Sequence, residues 1–337
     1  MKRVNTFLIV VALIAGMVGC GQTTPPEEAV TFADANLEAE VREAIAIPEG
    51  PIYPSDLEEL TSLSAGGWDI TDLTGLEYAT GLTTLNLMSN EISDISPLAD
   101  LTSLATVNLW FNQIIDISPL ANLTSLTTLN LVNNQISDIS PLASLTGLTL
   151  LWLNDNQISD IWALAGLTNL TGLGLNRNQI SDISALAGLT NLTLGLWLSH
   201  NQIGDASPLA DLTSLAILEL ADNQISDISP LADLTSLTEL YLGSNQIGDV
   251  SPLASLTGLA ILELADNGIG QISALAGLTN LTELHLWDNE ISDISPLVQN
   301  AGLGAGDIVD LELNPLSSDS ITTYIPQLEA RGVIVSY

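Results

Sequence analysis

An asparagine returns along this chain with a period that few folds can use. It stands at Asn90, Asn112, Asn134, Asn156 and Asn178, each 22 residues after the last, and then at Asn201 after 23. The 22-residue step resumes at Asn223, Asn245, Asn267 and Asn289, and Asn314 follows after 25. An imperfect first copy places Trp68 at this position, with Leu60, Leu63, Ile70, Asp72 and Leu76 in register, which gives twelve copies. A fixed period of this length marks a stack of like units, each too small to bury its apolar face alone. Such a stack is one folding unit, not the two or three domains that 337 residues would otherwise allow.

One copy runs Leu126-Thr-Thr-Leu129-Asn-Leu131-Val-Asn-Asn134-Gln-Ile136-Ser-Asp138-Ile139-Ser-Pro141-Leu142. Leu129 and Leu131 alternate with polar neighbours, which predicts a short strand with one buried face. Every coil winds the same way, so strands of successive coils can only be parallel. The Asn amide carries donors and an acceptor for backbone groups left open where the strand bends away; stacked coil on coil, these amides satisfy one another's turns. Losing one would strand buried polar groups at about 1–3 kcal/mol. Ser140-Pro141 reads as a helix start, with Ser as N-cap and Pro in the first turn. Only a single 3₁₀-like turn fits there. At roughly 4.8 Å per strand, the twelve coils span on the order of 50–55 Å.

This pattern, from about residue 60 to 314, resembles the leucine-rich repeat, and its length and Asp-Ile-Ser-Pro-Leu tail resemble the internalin-like 22-residue class. The resemblance implies an α/β solenoid: a horseshoe or arc with a parallel β-sheet on its concave face and short 3₁₀ turns on its convex face. It also implies binding through the concave face and no enzymatic activity.

Both ends of a solenoid need covers, since an open coil exposes apolar edge. Leu37, Val41, Ala44 and Ile45 keep helical spacing after Asp34 and Asn36, and Ser55-Asp-Leu-Glu58 reads as a capping box, so residues 30–59 are expected to form a helical N-terminal cap. Residues 315–337 are expected to close the other end. There Ile321, Tyr324, Ile325 and Leu328 have helical spacing, interrupted by Pro326 and stopped near Gly332, and Val333 to Val335 can add a last strand.

Ahead of the first cap, Lys2 and Arg3 precede an apolar run from Phe7 to Val18, too short to span a membrane and of signal-peptide length. The run ends in Met17-Val18-Gly19-Cys20, which resembles the bacterial lipobox, with Met17 in place of the usual Leu. The resemblance implies a lipoprotein signal peptide over 1–19, a lipid on the thiol of Cys20 that anchors the chain to a membrane, and a polar tether over 20–29. It places the protein outside the cytoplasm, lipid-anchored in the cell envelope. Gly21 resembles the lipoproteins without Asp at that position and implies an outer-leaflet or outer-membrane destination. An ordinary secretory signal with a chance cysteine is the alternative. Cys20 is the only cysteine, so the fold stands without an intrachain disulfide.

The charge narrows the partners. Forty acids against five Lys and Arg give a net −35, which repels nucleic acid and anionic lipid surfaces. Cationic ligands, divalent ions and neutral polymers stay open; the plainer role of the charge is solubility. A mean hydropathy of +0.37 excludes a disordered chain.

Variation between copies gathers at the strand positions that face the concave side. Most large aromatics fall there: Trp110, Phe111, Trp152, Trp197, Tyr241 and Trp287, with His285 among them. Trp162 lies on the outer turn instead. Trp and Tyr on a solvated sheet face point to a ligand, with cross-strand packing between neighbours as the alternative. Acids join in the later coils: Glu219, Glu239, Glu263 and Glu283, with Asp222, Asp266 and Asp288 before their asparagines. A protein ligand with a basic patch complements such a face; a glycan stacked on the aromatics is the second reading. Leu215–Asn223 and Leu259–Asn267 are identical in sequence, so two of the glutamates are duplicates of one motif.

The Asp at 72, 94, 116, 138, 160, 182, 205, 227, 249 and 293 forms another row. Stacked carboxylates could share Ca²⁺, but one acid per coil favours the reading that each Asp accepts N–H groups of its own turn. No catalytic constellation, metal cluster or cofactor loop is present in the sequence, and His200 and His285 lie about four coils apart. The chain is expected to act as a monomer without a cofactor. The extra residue near Leu194 predicts a bulge in the strand of coil seven that re-aims Trp197.

Overall fold

The computed structural model describes residues 27–337; the signal segment, Cys20 and the tether up to residue 26 lie outside that range. Thirteen three-residue strands form one parallel sheet in sequence order, from β1 (Ser62–Ser64) through β12 (Ile308–Asp310) to β13 (Ile334–Ser336). Register is carried straight from coil to coil, as in Leu85 beside Val107 beside Leu129. These central residues and the Leu two places on are fully buried, as are the turn residues Ile92, Ile95, Leu98, Leu101 and Leu104 of the same coil. The interior is one continuous ladder of Leu and Ile, and no coil completes its core without its neighbours.

The asparagines tie the coils together by hydrogen bonds in two directions. Asn156 Oδ1 accepts from the Ile136 N–H of the preceding coil at 3.0 Å. Its Nδ2 donates to the strand-end carbonyl of Leu131, one coil back, at 3.0 Å and to that of Leu153 in its own coil at 3.1 Å. The same three bonds recur from Asn90 to Asn314. The residue before each Asn is left-handed throughout: Ser89, Phe111, Asn133, Asp155, Arg177, His200, Asp222, Ser244, Asp266, Asp288 and Leu313 have φ between 51° and 60°. That turn delivers the Asn side chain inward, and it favours Asn and Asp at the preceding position, because any Cβ there crowds the following carbonyl and a short polar side chain offsets this by bonding locally.

On the convex side each coil makes one 3₁₀ turn, as over Ser96–Leu98 or Ser140–Ser144. Ser is not its cap. The backbone N–H of Ser140 is the open donor, and Asp138 Oδ1 accepts it at 2.8 Å. Every Asp of the row makes this bond to the residue two places on. Pro brings no N–H to the turn, so the Asp two residues upstream meets the one donor that remains, and the Ser hydroxyl in turns such as that of Asp94 donates to the carboxylate.

Coil seven corrects the expected bulge. β7 (Gly195–Trp197) pairs in plain register with β6 (Gly172–Gly174) and β8 (Ile217–Glu219). The extra residue is absorbed just before the strand, where the N–H groups of Thr193 and Leu194 share the Thr171 carbonyl and Leu194 is left 53% exposed. A bulge inside the strand would break two ladders, whereas a loop residue ahead of it breaks none.

The caps form at both ends. α1 (Ala35–Ile45) starts on Asp34, whose Oδ1 accepts from the Asn36 and Leu37 N–H groups, and it buries Leu37 and Val41 while Ala44 faces water. α2 (Pro54–Glu58) begins two residues earlier than the Ser55 box predicts: Tyr53 is the N-cap and its N–H donates to Asp56, because Pro54 takes the first helical position. Ser55 instead donates to Glu27. α3 (Ser295–Gln299) replaces the 3₁₀ turn of the last coil. A wide helical turn over Ser320–Tyr324 then runs into α4 (Ile325–Ala330), so Pro326 does not interrupt the helix but sits in its first turn. Arg331 clamps this cap by donating to the carbonyls of Val298 and Asn300. No helix among the described residues is long and apolar enough to cross a membrane.

Candidate binding face

The water-facing positions of the sheet lie six, four and two residues before each Asn. The strands hold them in rows, so side chains from neighbouring coils stand side by side about 4.8 Å apart. At the centre of the face the rows are bare: Gly172, Gly174 and Gly195 form a floor. Two tryptophans use the space. Trp152, at the end of β5 (Leu150–Trp152), leans forward over Gly174, where a Cβ would stand 2.6 Å from its ring; Trp197 folds back over Gly195, where a Cβ would stand 2.5 Å from its ring. The indoles meet with centroids 5.0 Å apart at a tilt of 55°. Both are half-buried, so cross-strand packing takes part of their surface. Trp110, Phe111 and Trp287 keep far more, at 42%, 54% and 38% exposed.

The N–H two places before each Asn points out of the ladder, and side chains of the face accept it. Asn86, Asn108, Asn130 and Asp310 each accept from the residue two places on. In the centre the acceptor comes from the coil before: Asn154 takes the Asn176 N–H at 2.8 Å, Asn176 the Ser199 N–H at 2.7 Å, and Ser199 Oγ the Ala221 N–H at 3.1 Å. Asn176 also donates to Glu219, two coils on, at 2.9 Å. Sequence reasoning missed Asn154, Asn176 and Ser199; their signal was a change of residue type in that row in these three coils.

Beyond β8 the face turns acidic across β9 (Glu239–Tyr241), β10 (Ile261–Glu263) and β11 (Glu283–His285). Tyr241 donates to Glu239 at 2.9 Å, and its phenol is pushed up to about 12 by burial, by that bond and by the charges of Glu239, Glu219 and Glu283. It therefore stays a donor at any physiological pH. Glu263 lies where a side chain on Gly243 would be, and its two oxygens accept the N–H groups of Gly243 and Ala265 at 2.8 and 2.9 Å. Burial pushes its carboxyl up although those two bonds hold it down. Little positive charge offsets these acids. Arg177 is the only Lys or Arg between residues 43 and 330, and its Nε stands 3.8 Å from Asp155. His200 lies 2.8 Å from Asp222, and His285 lies 3.9 Å from Glu283.

A family model for leucine-rich repeats, two copies to a match, fits residues 80–122, 124–166, 168–211, 195–233, 213–255 and 257–299. An internalin of Listeria monocytogenes, inlF, shares 34% identity over 90% of this chain and 95% of its own, with a TM-score of 0.76. The chain belongs to the internalin-like leucine-rich repeat proteins. Internalin C2 of the same bacterium is 38% identical over 68% of this chain and 93% of its own, with a TM-score of 0.53. A leucine-rich repeat protein of Leptospira interrogans shares the fold at 20% identity, 84% and 91% coverage and a TM-score of 0.56. No curated protein matches in sequence. Members of this family are non-enzymatic interaction scaffolds. Within the internalin-like frame, the left-handed row accounts for Asp222, Asp266 and Asp288 by backbone conformation alone. It gives no such reason for Phe111, whose aromatic side chain is both left-handed and exposed.

Proposed function

We propose that this internalin-like protein is a lipid-anchored binding module of the cell envelope that captures a protein partner carrying a basic patch. The observation that supports this most is the acidic half of the concave face, where Glu219, Glu239, Glu263 and Glu283 surround Tyr241 with no Lys or Arg nearby. An uncompensated field of this kind costs folding free energy through self-repulsion and steers oppositely charged partners. The aromatics Trp110, Phe111, Trp152, Trp197 and Trp287 supply the apolar contact that charge alone does not. Export and anchoring rest on the sequence before residue 27, with the thiol of Cys20 as the lipid attachment point.

The test is capture of envelope proteins by the anchored chain, run at low and raised salt and beside a glycan array. Capture of a basic protein that weakens with salt and fails with Trp152→Ala and Trp197→Ala is the expected result. Unchanged capture by both variants, or binding to glycans alone, would overturn the assignment. Labelled fatty acid should enter the wild type and not Cys20→Ser.

A further inference from the structure

Ser opens the convex turn of every coil from Ser96 to Ser295 except one. Trp162 opens the turn that Ser140 and Ser184 open in the coils on either side, and it stands 70% exposed on the face away from the sheet. The proline of the motif is also missing at this point: Ala163 and Ala185 occupy its position, as Ala274 does in one later turn. The small residues leave a cleft on each side of the indole. One, of about 440 Å³, is lined by Asp138, Ala143, Asp160 and Ala163, and the other, of about 310 Å³, by Asp160, Asp182 and Ala185.

The carboxylates around this indole differ from half of their row, and Asp72 and Asp227 share their pattern. In Asp94, Asp116, Asp205, Asp249 and Asp293 one oxygen caps the turn and the other accepts the Ser hydroxyl. In Asp138, Asp160 and Asp182 only Oδ1 is engaged, by the N–H groups of Ser140, Trp162 and Ser184 at 2.8 Å and, at Asp182, by the Ser184 hydroxyl as well. Three free carboxylate oxygens therefore flank one exposed aromatic ring, spaced about one coil apart. None of the three makes an ion pair among the described residues. The turn bonds hold Asp138 and Asp182 below the ordinary carboxylate range, so both are charged at neutral pH.

We propose that the convex edge around Trp162 is a second binding site, which takes an arginine side chain of a protein partner. A guanidinium is planar, stacks on the indole face and can bond a carboxylate edge-on at the same time, which an ammonium does less well. A neutral sugar would use the ring but leave three charges unanswered. The site lies on the opposite side of the coils from the concave face and does not depend on the function proposed for that face.

The experiment labels the full chain with 5-fluorotryptophan, whose six ¹⁹F resonances report separate sites, and assigns Trp162 from Trp162→Phe. Titration with acetylated tetra-arginine amide should move the Trp162 resonance saturably, and the matched neutral tetra-citrulline peptide should not move it. Asp160→Asn keeps the turn acceptor and removes the charge; it should weaken the titration at Trp162 at least fivefold with an unchanged circular dichroism spectrum. The proposal fails if the arginine peptide shifts other tryptophans but leaves Trp162 still. It also fails if citrulline or a chito-oligosaccharide shifts Trp162 as strongly, or if Asp160→Asn has no effect there.

Discussion

Replacing Asn156 separates what the asparagine ladder contributes from what the leucine core contributes. The bonds on both sides fix the magnitude. Leu131 O keeps a donor after Asn156→Ala, because Asn134 Nδ2 also reaches it at 3.1 Å. Leu153 O likewise keeps Asn178 Nδ2 at 3.0 Å. The Ile136 N–H has no second acceptor, so one buried donor is orphaned, at a cost of about 1–3 kcal/mol. Asn156→Asp makes the opposite error. It keeps an acceptor for Ile136 but sets a carboxylate oxygen against the carbonyls of Leu131, Leu153 and Asn154 at a site only 9% exposed. Those carbonyls raise the folded pKa of the new acid above its unfolded value of about 3.9. A raised folded pKa means that acid relieves the penalty: Asn156→Asp should be worse than Asn156→Ala at pH 7 and recover toward it as pH falls toward about 4. Urea unfolding followed by circular dichroism at both pH values, compared at unchanged slope, reads this directly. An alanine variant within about 0.5 kcal/mol of wild type, the range of ordinary surface changes, would refute the ladder as a structural element. So would an aspartate variant as stable as alanine at pH 7.

Three further outcomes follow from particular contacts. The turn bonds made by Ser140, Ser184, Ser229 and Ser251 hold Asp138, Asp182, Asp227 and Asp249 below their ordinary 3.8, so these groups stabilise the fold above that value and lose the contribution as pH falls through their lower folded pKa. Thermal midpoints should drop below about pH 4 and drop less when these four are Asn; a midpoint that climbs steadily to pH 3 contradicts this. Gly174→Val drives a side chain into Trp152, whose ring a Cβ would meet at 2.6 Å, and should cost about 1–3 kcal/mol as overpacking. The near-ultraviolet circular dichroism of the indole pair should change with it, and an unchanged spectrum would show that the pair does not rest on the glycine floor. Phe111→Asn should raise stability by roughly 1 kcal/mol by relieving a left-handed aromatic residue, while weakening partner capture; a stability loss would remove the strain argument.

The repeat and nearly everything that follows from it could be read from the sequence, because its causes are local and recur. A Leu at every second strand position and an Asn at every coil admit one stacking, and the parallel register follows. What could not be read were features created by stacking itself. The left-handed residue before each Asn shows only as a mild excess of Asp, Asn and Ser, which charge counting assigns to a ligand face. The Ser-Pro pair looks like a cap because Ser caps longer helices, whereas a single 3₁₀ turn leaves its one donor to the Asp upstream. The added residue of coil seven suggested a bulge, but two parallel ladders hold the strand and the loop ahead of it is free to yield. The glycine floor under Trp152 and Trp197 requires knowing which rows become neighbours, and no single coil contains that information.

The same accounting shows where a partner can be chosen. Within one coil the Leu and Ile positions are fixed by the core, the Asn by its three bonds, the residue before it by backbone conformation and the Asp by its turn. The strand positions six, four and two places before the Asn are free, with Phe111 as a further residue that the left-handed row does not explain, and the centre of the face spends part of that freedom on capping N–H groups through Asn154, Asn176 and Ser199. Glu263 does the same between two coils. The side chains that no structural need explains are therefore fewer than the exposed ones: Trp110, Phe111 and Trp287 at the two ends of the face, and Glu219, Glu239, Tyr241 and Glu283 between the central indoles and Trp287. We propose that one partner bridges both groups. Its footprint then covers most of the sheet, and substitutions at Trp110 and at Glu239 should weaken one and the same interaction.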